Sequence, residues 1–258
     1  MICVIPGDYK KVLESFPYKS QFDFIFADPP FNISHNYQQY KDKIPQSQYK
    51  AWIEDIVSTL YDNLAHGAAL VLHGSIEVSR LFIISATTLK LDIESEICWA
   101  YNFGQCNFNN FIETHTRAIV IRKPGQRKFY VDAVLQPSKR LLMGDKRVTT
   151  SKYKGYVPFG TVWGIDQADG VPLEPIEGEA NWGRIQGNNS ERRAFSPNQL
   201  PERYISRLLS AYTKEDDSVF DPFAGSGTTA ICCKKMNRHC LTTDISEICC
   251  KEIEGLLR

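Results

Sequence analysis

The chain has 258 residues, of which 43% are apolar and 23% charged, and its formal net charge at pH 7 is zero. This length and composition allow a large buried core, organised as one domain with an insertion or as one domain plus a smaller one. No apolar run reaches the roughly 20 residues of a membrane span, and no C-x-x-C pair occurs among the eight cysteines, so we expect a soluble cytoplasmic protein with reduced thiols and no metal site.

Strands and helices are predicted to alternate along most of the chain, which favours an α/β fold with a mainly parallel, doubly wound sheet. The helical patterns lie at residues 48–64, from Pro201 onward, after Gly227 and after Asp244. The apolar runs typical of strands lie at 2–5, 22–27, 68–72, 97–100, 118–121, 218–220 and 240–242.

The second predicted strand, within FDFIFADPPF, ends in Asp28-Pro29-Pro30-Phe31. A carboxylate and a backbone carbonyl can accept both N–H bonds of an amine conjugated to an aromatic base, which makes its nitrogen more nucleophilic. Asp28 and the carbonyl of Pro29 supply such acceptors. The prolines restrict the loop and donate no hydrogen bond, and Phe31 offers a face on which an extruded base can stack.

The region 123–184 interrupts the alternation and is predicted to be an insertion that recognises a target, while residues 1–122 and 185–258 form the main domain. Residues 122–154 contain ten Lys or Arg against two Asp, a surplus of eight positive charges. Such a segment is typical of phosphate binding, and a solvated surface is the alternative. The candidate nucleic-acid contacts are Lys139, Arg140, Lys146, Arg147, Arg192 and Arg193.

Near the C-terminus, SVFDPFAGSGTTA (218–230) predicts a strand, a glycine turn and a helix. Such a turn presents bare backbone to an adenosine cofactor. The absence of Lys after the glycines excludes a phosphate-binding P-loop, but a dinucleotide and S-adenosylmethionine both stay open. Asp244 ends the next strand and can hold both ribose hydroxyls, or alternatively cap the following helix. Asp28–Phe31 favours a methyltransferase over a dehydrogenase.

Together these motifs resemble the amino-methylating DNA methyltransferases in their β-type motif order, in which D-P-P-[YF] precedes the F-x-G-x-G cofactor motif. Here the cofactor motif is Phe223–Gly227. Residues 196–201 (SPNQLP) resemble the motif usually seen as H-P-T-Q-K-P, and Gly7-Asp8 matches the N-terminal G-D. The resemblance covers nearly the whole chain except about 123–180. It implies a Rossmann-like methyltransferase fold in circularly permuted order, with the strands at 218–220 and 22–27 as neighbours.

The resemblance also implies the site. S-adenosylmethionine is the expected cofactor, and Asp28, Pro29, Pro30 and Phe31 are the expected catalytic residues. The expected cofactor-binding residues are Asp8, Asp221, Phe223, Gly225, Gly227, Thr228, Asp244, Asn198 and Gln199. This chain departs from the family pattern at Ser196, Leu200 and Thr116, where His, Lys and Glu are usual, and we expect His115 to be structural.

The expected reaction is methylation of adenine N6 in double-stranded DNA, because cytosine-N4 enzymes more often carry Ser or Thr in place of Asp28. Cytosine-N4 and RNA base methylation are the alternatives. Cytosine-C5 chemistry is disfavoured because it uses a Cys nucleophile in a Pro-Cys context, and no Pro-Cys occurs. A protein that keeps the fold and binds nucleic acid without catalysis is an alternative from a different functional class. A homodimer, a cognate restriction endonuclease and, for a bacterial source, nucleoid association complete the expectations.

Overall fold

The computed structural model describes residues 1–15, 22–34, 42–101, 108–164, 183–185, 189–196 and 198–258. Ten strands and seven α-helices follow one another in these segments. The strands are β1 (Ile2–Pro6), β2 (Phe22–Ala27), β3 (Leu64–Gly74), β4 (Asp92–Ala100), β5 (His115–Arg122), β6 (Leu135–Pro137), β7 (Tyr156–Pro158), β8 (Val162–Trp163), β9 (Ser218–Asp221) and β10 (His239–Asp244). The helices are α1 (Tyr9–Ser15), α2 (Gln46–Asp62), α3 (Ile76–Thr88), α4 (Lys139–Leu142), α5 (Glu202–Tyr212), α6 (Thr228–Lys235) and α7 (Glu247–Leu256).

Eight strands form one sheet in the order β1-β10-β9-β2-β3-β5-β4-β8. The five adjacent strands β1, β10, β9, β2 and β3 run parallel to one another. Strand β5 is antiparallel to both of its neighbours, β3 and β4. The sheet is therefore mainly parallel, and the predicted α/β fold class is confirmed. Ile25 of β2 pairs with Phe220 of β9, which confirms that the two motif-bearing strands are neighbours.

The sheet is buried on both faces because its central strands are apolar at nearly every position. Along β2, Phe24 and Phe26 pack into the core beneath α5, whereas Ile25 and Ala27 pack into the core with α2 and α3. Side chains alternate between the faces of a strand, so a run that is apolar throughout indicates helices on both sides. This pattern holds the end of β2, and hence Asp28, in a fixed position.

Helix α3 is absent from the sequence-based expectations. Its segment, IEVSRLFIISATT, mixes seven apolar residues with six polar ones and is rich in β-branched side chains, so its periodicity alone does not distinguish a helix from a strand. The Ser75 side chain accepts a hydrogen bond from the Val78 amide at the start of this helix, which is an N-terminal capping signal. Helix α2 matches the prediction for 48–64 closely, and it ends at Asp62 with Asn63 as its cap.

The predicted insertion at residues 123–184, which contains the basic region (122–154) almost entirely, is joined to the main sheet. Strands β6 and β7 form a small separate sheet, but β8 pairs with β4, and Val134 and Trp163 are buried in the main core. This corrects the expectation that the region does not continue the sheet. Its role in target recognition stays a prediction. Residues 165–182 of the predicted insertion lie outside the described residues.

None of the helices in the described segments is both long enough and apolar enough to cross a membrane.

Asp23 lies near the amino-terminal end of β2, whereas Asp28 follows its carboxyl-terminal end. The Asp23 side chain bonds β2 to β9. One carboxylate oxygen accepts hydrogen bonds from the Ser218 amide and hydroxyl, both at 2.8 Å, and the other contacts the Lys128 ammonium. Burial opposes ionisation, but the bonds from Lys128 and Ser218 outweigh it and lower the pKa of Asp23. The ionised carboxylate therefore stabilises the pairing of the two strands.

Asp23→Asn should lower the free energy of unfolding by about 1–3 kcal/mol at pH 7. Because the folded pKa of Asp23 lies below the unfolded value, this contribution is present above about pH 4 and is lost as the pH falls through the folded pKa. Urea denaturation should show a constant difference between the two proteins from about pH 5 to 8 and a smaller one under acid conditions. Asp92→Asn, at an exposed carboxylate, is the control, and a difference that grows on acidification would contradict the assignment.

Candidate active site

The Asp28–Phe31 loop follows β2 directly and is held from below by α2. The Tyr49 hydroxyl, buried on α2, donates a 2.8 Å hydrogen bond to the carbonyl of Pro30. This bond occupies the Pro30 carbonyl, while Pro29 is buried beside Asp28. The two prolines contribute no amide donors, so the Tyr49 bond and the fixed proline torsions determine the shape of the loop.

The Asp28 carboxylate contains an oxygen, Oδ1, that is shut off from solvent and has no hydrogen-bond partner among the described residues. Burial, followed by the negative charge of Asp221, raises the pKa of Asp28 well above its ordinary value. A buried acceptor without a donor costs free energy, and native structures rarely leave one in place without a role. Asp28 is thus a strong acceptor that lacks a donor within the described protein.

Asp221 is the corresponding carboxylate at the end of β9. Its Oδ1 accepts a 3.0 Å hydrogen bond from the Phe223 amide, and only 3% of the residue is exposed. Burial raises the pKa of Asp221 to about 6, although the hydrogen bonds from Thr229 and Phe223 act in the opposite direction. The charge of Asp221 in turn contributes to the raised pKa of Asp28 at the neighbouring strand end.

The glycine turn after β9 has two distinct parts. Gly225 adopts φ +51°, and a Cβ placed there would meet nothing closer than 3.8 Å, so its bare backbone faces open space. Gly227 adopts φ +76°, and a Cβ there would lie 2.6 Å from Cγ1 of Ile253 on α7. Gly225 leaves room for a ligand, whereas Gly227 allows the close approach of α6 and α7.

Asp244 orders this turn from the neighbouring strand. Its Oδ2 accepts a 2.9 Å bond from the Gly225 amide, and its Oδ1 accepts a 2.8 Å bond from the Ser246 amide. The residue that caps α7 is Ser246, whose side chain accepts from the Cys249 amide, so helix capping does not account for Asp244. Each carboxylate oxygen keeps capacity for a further donor.

A cavity of about 670 Å³ joins the two strand ends. It brings together eleven of the predicted site residues, namely Asp8, Asp28, Pro29, Pro30, Phe31, Asn198, Asp221, Phe223, Gly225, Thr228 and Asp244. The volume suits a ligand of cofactor size together with a second group. Across the described residues, no cluster of three or more His, Cys, Asp or Glu side chains could hold a metal ion.

Two predicted cofactor residues, Gly227 and Gln199, are not part of the cavity lining. Gln199 is buried, and its amide donates to the carbonyl of Glu191 at 2.6 Å and accepts from the Arg193 amide at 2.9 Å. Both polar ends of the side chain are therefore engaged in holding residues 191–199 together. Gln199 shapes the loop beside the cavity, and Asn198 is the residue that faces it.

Arg193 is predicted from the sequence to contact nucleic acid, but the structure places it in a largely buried ion pair. Its guanidinium donates to Glu202 at 2.8 Å, to the Thr228 hydroxyl at 2.9 Å and to the Ser226 carbonyl at 3.3 Å. Only 9% of its side chain is exposed. This corrects the expectation for Arg193, which stabilises the glycine turn against α5 and is not available to a phosphate.

The cavity also contains aromatic walls that the sequence analysis does not identify as site residues. Tyr9 and Trp52 each meet the ring of Phe223 edge-on, with centroids 5.5 and 6.0 Å apart. The Gly7-Asp8 motif could have drawn attention to Tyr9, and Trp52 is predicted only as part of a helix face. Both rings add apolar surface beside the glycine turn.

A buried polar pair lies in the core beneath the Asp28–Phe31 loop. The Nδ1 atom of His73 and the Tyr204 hydroxyl are 3.0 Å apart, and the rings of both pack against Phe26 and Trp99. Burial lowers the pKa of His73 to about 3, so its imidazole is neutral. Burial, followed by the charge of Asp28, raises the pKa of Tyr204, so Tyr204 lies within electrostatic reach of the carboxylate.

The segment after Phe31 is anchored at both described ends. The Asp42 carboxylate accepts from the amides of Asn32 at 2.7 Å and Ile33 at 3.1 Å. The Asn32 side chain in turn bonds the amide and the carbonyl of Ile44 at 2.8 and 3.0 Å. Residues 35–41, between these anchors, lie outside the described residues.

The predicted nucleic-acid contacts of the basic region lie on α4 and the short 3₁₀ turn after it. The Asp145 carboxylate accepts from the guanidinium groups of Arg140 and Arg147 at 2.8–3.0 Å. The bonds from Arg147 and then Arg140 lower the pKa of Asp145 well below its usual value. The side chains of Arg140 and Arg147 remain 61% and 82% exposed. Lys139, Lys146 and Arg192 are also exposed, and binding by this set stays a prediction.

The fold and the two strand ends agree with a comparison to protein families. The family model described as DNA methylase, of the N6/N4 methyltransferases, matches residues 22–255. The match includes both Asp28–Phe31 and the glycine turn. The chain therefore belongs to the N6/N4 DNA methylase family.

Curated relatives are about one-quarter identical to this chain. The type II methyltransferase M.HpaI of Haemophilus parainfluenzae is 25% identical over 89% of this chain and 66% of its own length. The type II methyltransferase M.BglII of Bacillus subtilis is 25% identical over 93% and 64%. The DNA adenine methyltransferase YhdJ of Escherichia coli K12 is 25% identical over 88% and 72%. The chain thus spans slightly less than two thirds of the length of M.HpaI and M.BglII.

Solved structures share the fold at lower identity. The M1.HpyAVI–SAM complex superposes with a TM-score of 0.64 and 16% identity, covering all of both chains. The PvuII DNA methyltransferase, described as cytosine-N4-specific, superposes with a TM-score of 0.64 and 15% identity over 95% of this chain and 82% of its own. At these identities the likeness supports the fold alone.

Arg193→Ala should lower the free energy of unfolding by about 2–4 kcal/mol, because it leaves the mostly buried Glu202 carboxylate without its main partner. Urea denaturation at pH 7 measures the change. Lys251→Ala, which removes an exposed ion pair to Glu247, is the matched control and should change stability by about 0.5 kcal/mol or less. Equal effects of the two substitutions would show that Arg193 does not stabilise the glycine turn.

Proposed function

We propose that this protein transfers a methyl group from S-adenosylmethionine to the exocyclic N6 of an adenine extruded from double-stranded DNA. The observation that carries the proposal is the buried, unpartnered Oδ1 of Asp28, which lies in the same cavity as the Gly225 turn. An acceptor without a donor beside a bare-backbone turn suits a site that holds an amine next to an adenosine cofactor.

The described residues fit the cofactor. Asp244 offers carboxylate oxygens to the ribose hydroxyls, and the backbone at Gly225 leaves room for the methionine part of the molecule. Asp8 lines the same cavity and suits the adenine ring, while Phe223, Tyr9 and Trp52 provide apolar surface. S-adenosylmethionine, when bound, supplies an electrophilic methyl group on a sulfonium sulfur.

The catalytic loop supplies acceptors to the amine. In this proposal Asp28 Oδ1 accepts one N–H and the Pro29 carbonyl accepts the other, while the Tyr49 bond to the Pro30 carbonyl fixes the shape of the loop. Two acceptors favour a pyramidal nitrogen whose lone pair is less delocalised into the ring. Phe31 stacks on the extruded base and fixes its orientation. The loop acts by positioning and by electrostatic preorganisation.

Adenine is proposed over cytosine because the first residue of the catalytic loop is Asp28, which resembles the adenine-N6 enzymes. The relatives include a DNA adenine methyltransferase, and the structural neighbours include a cytosine-N4-specific enzyme. Cytosine N4 is the second candidate, since its amine would use the same two acceptors. RNA is the third candidate.

Double-stranded DNA is the proposed partner, with the exposed cations of the basic region, including Arg140 and Arg147, contacting phosphates or guanine edges. The type II methyltransferase names of M.HpaI and M.BglII support a role in a restriction–modification system with a cognate endonuclease. A homodimer and cytoplasmic, nucleoid-associated localisation complete the proposal.

Asp28→Ala should reduce methyl transfer by at least about 100-fold, because it removes a preorganised acceptor, while the dissociation constant for S-adenosylmethionine changes by about 3-fold or less. Incubation with labelled cofactor and unmethylated genomic DNA, followed by nucleoside mass spectrometry, measures the product and identifies the base. Isothermal calorimetry measures cofactor binding separately.

Asp216→Asn, at a carboxylate that is 86% exposed two residues before β9, is the control and should retain full activity. Detection of N4-methylcytosine in the digest, without N6-methyladenine, would show that the methylated base is cytosine and not adenine. Methylated nucleosides in RNA alone, or no modified base in any nucleic acid, would refute it. Lost cofactor affinity with retained turnover in Asp28→Ala would refute the role of Asp28.

The pH dependence of the reaction should depend on the two carboxylates. Because Asp28 is the stronger acceptor when it is ionised and its pKa is raised, kcat/KM should fall on acidification at a pH above the ordinary range for Asp. Asp221→Asn removes a negative charge next to Asp28 and keeps an oxygen that can accept from the Phe223 amide. The acidic limb of the pH–kcat/KM profile should therefore move to lower pH.

Asp216→Asn, which changes an 86% exposed carboxylate just before β9, is the control for this profile and should leave the limb in place. An unchanged limb in Asp221→Asn, or a limb at the ordinary pKa of Asp in the wild-type protein, would show that ionisation of Asp28 does not control the rate.

A further inference from the structure

The loop between β4 and β5 exposes large apolar side chains to solvent. Phe108 is 97% exposed, Phe111 is 95% exposed and Ile112 is 44% exposed. We call residues 108–112 (FNNFI) the apolar tip. Isolated exposed apolar residues are common on protein surfaces, but two fully exposed rings and an aliphatic side chain within five residues indicate an interaction site.

The sheet register places the apolar tip at the edge that holds the catalytic loop. Ala27 pairs with Leu72, so Asp28 is level with His73, which pairs with Ala118 of β5. From there β5 runs outward to its first residue, His115. With strand spacings of about 4.8 Å and a rise of about 3.3 Å per residue, the backbone at His115 lies roughly 14 Å from that of Asp28. The tip extends from this end of β5.

The local structure presents the tip to solvent. The loop is closed at its base by a 2.9 Å hydrogen bond from the Tyr101 amide to the Thr114 carbonyl. The Asn110 side chain accepts a 2.8 Å bond from the Phe111 amide. At the base of the loop, the Arg184 guanidinium lies 5.3 Å from the centroid of the Tyr101 ring. The five residues of the tip carry no charge, and the exposed Glu113 follows them directly.

We infer that the apolar tip is a wedge that enters the DNA helix next to the target base pair, where Phe108 and Phe111 stack on the bases left behind when the target base moves to Asp28. This inference rests on the proposed function. Extrusion of a base costs a few kcal/mol of stacking and pairing, and apolar side chains inserted between bases can stabilise an opened helix. Because the tip leaves the sheet roughly 14 Å from Asp28, at the same end of the strands, a single DNA duplex can contact both the tip and the catalytic loop.

The experiment compares a paired duplex with a mispaired one. Sequencing of genomic DNA methylated by the wild-type protein first provides the target site, and absence of any methylation at this stage would refute the proposed function, not the wedge. Two duplexes of about 30 base pairs are then prepared around the mapped target base. In one duplex this base is correctly paired, and in the other it lies opposite a mismatched base. A mismatch lowers the cost of extrusion.

Phe108→Ala/Phe111→Ala should reduce kcat/KM on the paired duplex by at least about 10-fold and on the mispaired duplex by about 3-fold or less, because the wedge matters only when the base must be extracted. Since both side chains are exposed, the melting temperature should change little. Ile84→Ala, at a 60% exposed apolar residue on α3, is the matched control and should leave both rates unchanged. Phe108→Trp/Phe111→Trp should retain activity on both duplexes.

An equal loss on both duplexes would overturn the wedge and indicate a general contact with DNA or with the cofactor site. No loss on either duplex would also overturn it. Sedimentation velocity of the wild-type protein and the double alanine variant, without DNA, tests whether the apolar tip binds a second copy of the chain instead of DNA. A wild-type dimer that the double substitution converts to a monomer would show that the apolar tip binds a second copy of the chain.

Discussion

The active site depends on the parallel pairing of β2 with β9. This pairing places Asp28 and Asp221 at neighbouring strand ends, although two like charges in a buried cleft raise each other's cost of ionisation. Apolar packing on both faces of the sheet and the Asp23–Ser218 bonds at the far end of the same strands offset that cost. The fold thus holds in place a pair of carboxylates that would otherwise move apart.

The cofactor side of the cleft is stabilised by contacts from outside the glycine motif. Asp244 fixes the Gly225 amide from the next strand, and Arg193 fixes Ser226 and Thr228 from the preceding loop. Substitutions at Arg193 or Gln199 would therefore act on cofactor binding through the shape of the turn. Such residues resemble ligand contacts in a sequence comparison, because they lie within or beside the motifs.

The main sheet and most of the site could be predicted from the sequence because their signals are local. Asp28–Phe31 and Gly225 stand at the ends of short apolar runs, and strand ends of a parallel sheet meet at one edge. Arg193 was misassigned because charge alone does not show whether a cation faces solvent or a buried partner such as Glu202. Tyr9 directly follows the Gly7-Asp8 motif, but its role as a wall of the cavity depends on a contact with Phe223, more than 200 residues away, that the sequence does not show.

The region between β5 and α5 was harder to predict for the same reason. Its composition indicates a polar, basic segment, and yet Trp163 packs into the core beside Tyr204. The pairing of β8 with β4 involves only two residues in β8. So short a strand has no recognisable periodicity, and only its long-range contacts define it.

The catalytic loop, which Tyr49 holds through the Pro30 carbonyl, bears on how many methyl groups the site can add. Under the proposed function, Asp28 Oδ1 and the Pro29 carbonyl match the two hydrogens of an unmodified amine. A monomethylated amine has a single hydrogen, so one of these two acceptors would lose its donor, at a cost of about 1–3 kcal/mol. Such a site would hold the unmodified base more tightly than the product and would favour a single methyl transfer.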